Sequence, residues 1–294
     1  MSWRIVVISK RAKLDYQLGY MVVRNEEVTK IYLGEISTVL IESTAVSITT
    51  SLLAELTKKK IKVIFCDEKR NPSSELIGYY GSHDTSNKVR KQIQWNCSIK
   101  DAVWTEIVTE KIRKQKELLE YLGKEESGVL QSYLNEICWK DETNREGHAA
   151  KVYFNALFGL SFTRTEDSLV NAALNYGYSI FRSLISSIIV AKGYLPNLGI
   201  FHRGKQNMFN LSDDMIEVFR PIVDHYVYNN MMEDILFKQE HKEALIQLTS
   251  KKIEIDGRKQ TVNNAIYVYI ENILKELEIG QNVYLFPKPI LYDL

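Results

Sequence analysis

Four side chains in this sequence could do chemistry together. Glu146 opens the run Glu146-Gly147-His148-Ala149-Ala150, and His202 closes Gly199-Ile200-Phe201-His202. Farther on, Asp214 and Glu217 stand in Asp214-Met215-Ile216-Glu217-Val218-Phe219-Arg220-Pro221. Acids and imidazoles in such apolar, helix-prone surroundings are tolerated when paired, hydrogen-bonded or bound to a cation. Hard oxygens with one imidazole suit Mg²⁺ or Mn²⁺ better than zinc. An ion held this way polarises a phosphoryl oxygen and activates a hydroxyl nucleophile, so the economical chemistry is metal-assisted work on a phosphate.

Each residue also has a plainer account. An acid such as Glu146 is favoured in the first turn of a helix by the dipole alone. His202 precedes the basic stretch Arg203-Gly204-Lys205 and could simply end a helix or face solvent. Ser212 is a good N-cap, with Asp213 and Asp214 in the first turn and Glu217 free to pair with Arg220. That account covers the aspartates well. It covers Glu217 less well, because Met215, Ile216, Val218 and Phe219 would carry it into a partly buried position. Asp213 and Asp214 are both at helical spacing from Glu217, so spacing does not choose between them. Glu146 and Tyr153 share a helical stripe, whereas His148 points roughly 100° away and is left out of the site. Arg220-Pro221 adds a cation and a kink.

The elements that must position these residues fall into two blocks. Residues 1–80 read as a small β-rich domain, a compact antiparallel sandwich or meander with one helix. Strands are expected at Trp3–Ser9, Gly19–Val23, Val28–Leu33, Thr38–Glu42 and Ile61–Cys66, and a helix across Ser47–Lys60. Polar, breaker-rich segments around Asn71–Ser74 and Gly81–Asn87 flank a short run at Leu76–Tyr80 and mark the boundary. Residues 81–294 read as a larger α-helical domain, so the fold class is α+β. Helices are expected over Ser86–Lys100 and Val103–Leu122, and starting near Gly147, Asp167, Ser212 and Val262. Asp256-Gly257 between alternating runs predicts a two-residue hairpin, and the tail from Val283 is expected to be extended.

Asn171, Asn175, Tyr178 and Arg182 make a polar stripe along an otherwise apolar helix. They suit either a phosphate backbone or a buried interhelix network, and Tyr178 suits the network better. Lys111, Arg113, Lys114 and Lys116 read as a solvated face, and Trp95 and Trp104 as core.

Bulk properties narrow the field. Over 294 residues, 38 basic and 37 acidic side chains leave a net charge of +1, so DNA contact would rest on local patches. Three scattered cysteines make neither a disulfide framework nor a zinc site and fit a reducing cytoplasm. The N-terminus lacks a signal-peptide layout, and the apolar stretch around Ser168–Ala191 is too polar to span a membrane. The absence of glycine-rich phosphate loops, HExxH and GxSxG argues against the enzyme classes that carry them.

These blocks, with Ile36-Ser37-Thr38-Val39-Leu40-Ile41-Glu42 and Asn171-Ala172-Ala173-Leu174-Asn175-Tyr176-Gly177-Tyr178, follow one another as in a known family. Along essentially its whole length the chain resembles the CRISPR-associated protein one family. The resemblance is to members from systems with a single large RNA-guided nuclease. It implies an N-terminal β-sandwich used in dimerisation, a helical catalytic domain, and a prokaryotic, cytoplasmic, non-membrane protein. It further implies a homodimer, two of which flank a dimer of the small CRISPR-associated protein two in a heterohexamer. The RNA-guided effector nuclease is a further candidate partner.

By the family pattern Glu146, His202 and Glu217 are ligands to Mg²⁺ or Mn²⁺, and Asp214 is the nearby catalytic acid. The implied reaction is transesterification: the 3′-hydroxyl of a short duplex DNA, the prespacer, attacks a phosphodiester at the leader–repeat boundary. Within that reading Arg203, Lys205 and Arg220 are expected on the DNA backbone, with Tyr153 and Asn171 positioning it. Two other readings compete. One is a metal-dependent structure-selective nuclease using water; the other is a non-catalytic DNA-binding scaffold in which the acids are caps and ion pairs.

Overall fold

A computed structural model of the chain describes residues 4–68, 70–76, 78, 84–232, 234 and 236–280. The chain divides into two compact units, residues 1–83 and 84–294. The first carries strands and sheets and the second is mostly helical, as an α+β chain should be.

In the first unit, short runs mostly rich in β-branched and aromatic residues form β1 (Arg4–Ile8), β2 (Ala12–Gln17), β3 (Tyr20–Arg24), β4 (Val28–Tyr32), β5 (Ile36–Ile41) and β6 (Val46–Ile48). Helix α1 (Thr50–Lys58), β7 (Lys62–Cys66) and β8 (Pro72–Leu76) complete it. They make two four-stranded sheets, ordered β1-β5-β7-β8 and β4-β3-β2-β6. Side chains of both sheets, among them Leu14, Met21, Ile36, Val39 and Val63, form one core with Leu52 and Leu56 of α1.

The expected antiparallel arrangement is corrected. β1 pairs with β5, β5 with β7 and β2 with β6 in parallel. Parallel neighbours need a crossover, and α1 supplies one between β5 and β7. Two strands escaped the sequence reading: β2, with Lys13 and Asp15 interrupting its apolar positions, and the three-residue β6. Asn71–Ser74, expected as linker, contributes most of edge strand β8, which tolerates Pro72 as its first residue. Trp3 of the first expected strand, Ile77, Tyr79 and Tyr80 of the short run at the boundary, and the tail from Val283 lie outside the described residues.

The second unit contains α2 (Thr85–Ile93), α3 (Cys97–Tyr121), α4 (Ser127–Glu136), α5 (Arg145–Phe158) and α6 (Leu169–Ala191). It continues with α7 (Asn210–Ile216), α8 (Arg220–Met231), α9 (Gln239–Gln247) and α10 (Val262–Ile279). The expected single helix over Ser86–Lys100 is broken because the Asn96 side chain accepts the Ser98 N–H at 2.8 Å and starts α3. Ser212 is not a cap. It is the third residue of α7, buried, with its hydroxyl 2.8 Å from that of Ser186 on α6. The hairpin β9 (Lys252–Ile255) to β10 (Arg258–Thr261) forms as expected, with Asp256 and Gly257 at φ 53° and 69°. Among the described residues no helix is long and apolar enough to cross a membrane.

Helix α6 is the axis of this unit, packed against α7, α8, α9 and α10. Its approach to α8 depends on Gly177, where an added Cβ would fall 2.5 Å from Val223 Cγ1. Val223 is buried and β-branched, so it has little freedom to yield. Gly177→Ala should therefore destabilise the protein by roughly 1–3 kcal/mol, although alanine is the better helix former. Urea denaturation of Gly177→Ala, Val223→Ala and the double variant tests this; the double variant should recover much of the loss.

Candidate active site

Glu146 sits in the first turn of α5, but the cap is made by another acid. Asp141 accepts the N–H groups of Arg145 at 2.8 Å and Glu146 at 2.9 Å. Lys140, Asp141 and Asn144 hold the preceding loop in left-handed conformations, with φ of 61°, 52° and 53°. The Glu146 carboxylate is thereby released from capping. Glu217 starts a short 3₁₀ turn, Glu217–Phe219, between α7 and α8, and Pro221 stands in the first turn of α8, where its missing N–H costs little. The surrounding apolar residues bury Glu217 to 4% exposure.

The two carboxylates meet at one cation. Lys111 of α3 donates from Nζ to Glu146 Oε1 at 2.6 Å and stands 2.6 Å from Glu217 Oε2. The approach to Glu217 is poorly directed, and Oε2 makes no hydrogen bond of acceptable geometry. Arg220 Nη2 lies 3.2 Å from Glu217 Oε1. Burial alone would push the Glu217 carboxyl up, but Arg220 and Lys111 outweigh it and hold it below the usual range. Burial likewise works against the Lys111 ammonium, and Glu217 and Glu146 reverse that, raising it. Both shifts favour the charged form of Glu217 and of Lys111.

His202 is fixed from behind by Asp214. The ring Nδ1 is 2.7 Å from Asp214 Oδ1, and the backbone N–H groups of Ile200, Phe201 and His202 donate to the same carboxylate at 2.6, 3.2 and 3.1 Å. This wrap requires Gly199, where a Cβ would lie 2.4 Å from the His202 carbonyl oxygen. The hydrogen bond to Asp214 raises the imidazole above its ordinary range against its own burial, and Glu217 and Glu146 raise it further. With Nδ1–H given to Asp214, the neutral ring keeps Nε2 as its acceptor. Phe201 stacks on Trp104 with centroids 4.3 Å apart, and the His202 ring meets Trp104 edge-on at 5.7 Å. Asp213, which spacing could not separate from Asp214, faces elsewhere: it accepts from Asn207 at 2.8 Å and lies 3.9 Å from Arg182.

Among the described residues no three His, Cys, Asp or Glu side chains form a ready-made metal cage. The donor set nonetheless fits a divalent ion. Two carboxylates from separate elements already hold a cation between them, one buried oxygen lacks a directed hydrogen bond, and a histidine with an available nitrogen feels both charges.

Three expectations are corrected. Tyr153, expected to position DNA, is instead fully buried, and its hydroxyl donates to Asp224 Oδ2 at 2.9 Å. Asn171 is 3% exposed; its amide donates to the carbonyls of Thr163 at 2.8 Å and Glu166 at 2.9 Å and so pins the loop before α6. Lys111 and Lys114 are not on a solvated face but buried. Arg203 and Lys205 are exposed, and Arg220 is half-buried over the Tyr178 ring at 4.6 Å. Tyr178 also donates to Asp224, giving the interhelix network expected of it.

Lys111 and Asp224 are the residues the sequence reading missed. A signal for Lys111 existed: Trp104, Ile107, Lys111, Leu118 repeat at helical spacing, putting a lysine on the buried stripe of α3. Asp224 lies within Ile222-Val223-Asp224 and is wholly buried.

Burial pushes the Asp224 carboxyl from 3.8 up to about 6, despite hydrogen bonds from Tyr178 and Tyr153. Between those values the folded protein binds the proton that the unfolded chain has released, so stability should fall as pH rises from 3.8 to about 6. The penalty, on the order of 3 kcal/mol, is complete above that window. Asp224→Asn cannot ionise, so urea denaturation across the window should show this component of the decline removed.

The family model described as CRISPR associated protein Cas1 matches residues 5–263. The chain is 34% identical over 226 residues to the CRISPR-associated endonuclease Cas1 of Neisseria meningitidis serogroup C (strain 8013), covering 76% of this chain and 74% of that protein. Among solved structures it is similar to a casposase bound to integration product, with a TM-score of 0.79 at 15% identity, over 100% of this chain and 96% of that one. It is also similar to a chain of a Cas6-RT-Cas1–Cas2 complex, with a TM-score of 0.71 at 16% identity, over 97% of this chain and 36% of the other. These two likenesses concern the fold. The family match spans most of the sequence and the Neisseria relative supports it independently: the chain belongs to the CRISPR-associated protein Cas1 family.

Proposed function

We propose that this protein is a metal-dependent DNA integrase of CRISPR adaptation. In this reading it joins the 3′-hydroxyl ends of short duplex DNA to the leader–repeat boundary by transesterification. The observation that carries the reading is the pair formed by the buried Glu217 and the partly buried Glu146, which share one cation beside His202. Family membership and the integration product held by the similar casposase support it.

Glu146, Glu217 and His202 Nε2 would hold the Mg²⁺ or Mn²⁺. When bound, the ion supplies a Lewis acid for the phosphoryl oxygen and lowers the pKa of the attacking hydroxyl. Asp214 keeps the imidazole oriented and in the tautomer whose Nε2 carries the lone pair. Arg220 neutralises part of the charge on Glu217 and, half-exposed, is placed to meet a phosphate. Arg203 and Lys205 extend that cationic surface along the loop after His202. One phosphodiester forms as another breaks, and the attacking hydroxyl's proton passes to the departing 3′-oxygen or to solvent, so no nucleotide cofactor is consumed.

Working as a homodimer, joined through the N-terminal unit, and with Cas2 is part of the same proposal. Edge strand β4, with four of its five residues exposed, suits pairing, and the Cas1–Cas2 assemblies among similar structures supply the partner. The prokaryotic cytoplasm and the effector nuclease complete the expected setting.

A labelled duplex with free 3′-hydroxyls, Cas2, Mn²⁺ and a supercoiled plasmid carrying a leader and repeat provide the test. Label should enter the plasmid with the native protein and fall by at least about 10²-fold with Glu146→Ala. Cut plasmid without joined label would replace integrase by nuclease, and duplex binding without either product would leave only a scaffold. Arg203→Ala with Lys205→Ala should weaken duplex binding in a salt-dependent way, lowering the log–log salt slope by about 2, as measured by fluorescence anisotropy.

A further inference from the structure

Lys111 has no part in the reaction as written above, yet it occupies the centre of the acidic pair. Its Nζ stands 2.6 Å from one oxygen of each carboxylate, a point equidistant from two groups on different elements. Its side chain is 10% exposed, so water contributes little to its solvation. It rises from the apolar stripe of α3, where a lysine is tolerated only with partners of this kind.

Charge makes the position consequential. Glu146 and Glu217 carry two negative charges, and Lys111 with Arg220 carries two positive ones, so this cluster is already neutral. A divalent ion entering it would meet an ammonium at closest approach to both carboxylates. Mg²⁺ and Mn²⁺ sit nearer to carboxylate oxygens, at about 2.0–2.2 Å, than an ammonium nitrogen does, and cannot share that point with it. The Glu217 oxygen facing Lys111 is held by an ion pair at 2.6 Å, so the lysine answers its charge from the position a metal would need.

We propose that Lys111 is a resident counter-cation: it holds Glu146 and Glu217 together in the metal-free protein and sets, by competition, how tightly a divalent ion binds there. The inference rests on the assignment of this pair as metal ligands. Lys111 is in this role a positioning residue, and it makes the site a structure that exists before the metal arrives. The charged pair is kept from flying apart by a side chain that can swing away on four methylenes.

The test uses the full-length chain, Mn²⁺ as probe, and Lys111→Met beside Lys111→Gln. Without metal both variants should melt below the native protein, because the buried Glu217 and the partly buried Glu146 lose their shared cation. By calorimetric titration both should bind Mn²⁺ more tightly, by about tenfold, the order by which groups touching ligands set metal affinity. Their melting temperatures should accordingly rise more with saturating Mn²⁺ than the native one does. Equal or weaker Mn²⁺ binding by both variants, with the native protein binding normally, overturns the counter-cation while leaving the metal site standing. No Mn²⁺ binding by any of the three proteins overturns both assignments. Should either variant fail to fold without metal, refolding in Mn²⁺ should restore it, and failure to do so counts against the proposal.

Discussion

Holding two carboxylates, one buried and one partly buried, within reach of one another is the constraint around which the helical unit is organised. Glu146 and Glu217 come from elements far apart in sequence, and the buried Glu217 would be expelled to solvent or protonated if it stood alone. Each part of the surroundings offsets that tendency in a different way. Lys111 answers both charges, Arg220 answers Glu217, and Asp141 removes from Glu146 the duty of capping α5. The site is stable because three cation–carboxylate contacts are made at once. Deleting any one leaves a buried charge exposed to its neighbours' repulsion.

Two long helices supply the geometry. Helix α3 presents Trp104, Ile107, Lys111 and Leu118 on one stripe, so the lysine is delivered by the same packing that seats the tryptophan under Phe201 and against His202. Helix α6 anchors the opposite side. Ser186 holds Ser212 of α7, Gly177 admits α8, and Tyr178 reaches Asp224 while lying beneath the Arg220 guanidinium. Arg220 thus sits between a carboxylate that it neutralises and an aromatic face that orients it. Small errors in the α6–α8 approach would be read out as displacement of Arg220 and Glu217.

How legible was this in the sequence? The α+β division, the Asp256-Gly257 hairpin and the interhelix role of Tyr178 follow from local patterns, and local patterns are what a sequence exposes directly. Strand direction is not local. β1 and β5 pair in parallel across an intervening three-stranded excursion, which no periodicity reveals. The site shows the same divide. Glu217 announced itself as an acid among apolar neighbours, whereas Lys111 was hidden inside a lysine-rich stretch that looks solvated until its helical phase is followed. Tyr153 and Asn171 were assigned to DNA because their polarity was visible and their burial was not.

Electrostatics also bears on how a chain of net charge +1 could serve the polyanionic substrate proposed for it. Much of its cationic side-chain population is internal or paired: Lys111 and Lys114 are buried, and Arg113, Lys116 and Arg145 each have an acidic partner. Charges neutralised in this way contribute little field at the surface. Arg203 and Lys205 differ, being exposed on the loop that His202 begins. That loop is shaped by Asp214, whose carboxylate draws three backbone N–H groups around itself and leaves the following residues projecting outward. One buried acid therefore sets both the imidazole of the site and the course of the cationic segment beside it. A phosphate backbone drawn to Arg203 and Lys205 would be brought to the side of the acidic pair where His202 stands, and attraction and chemistry would then share a single structural origin.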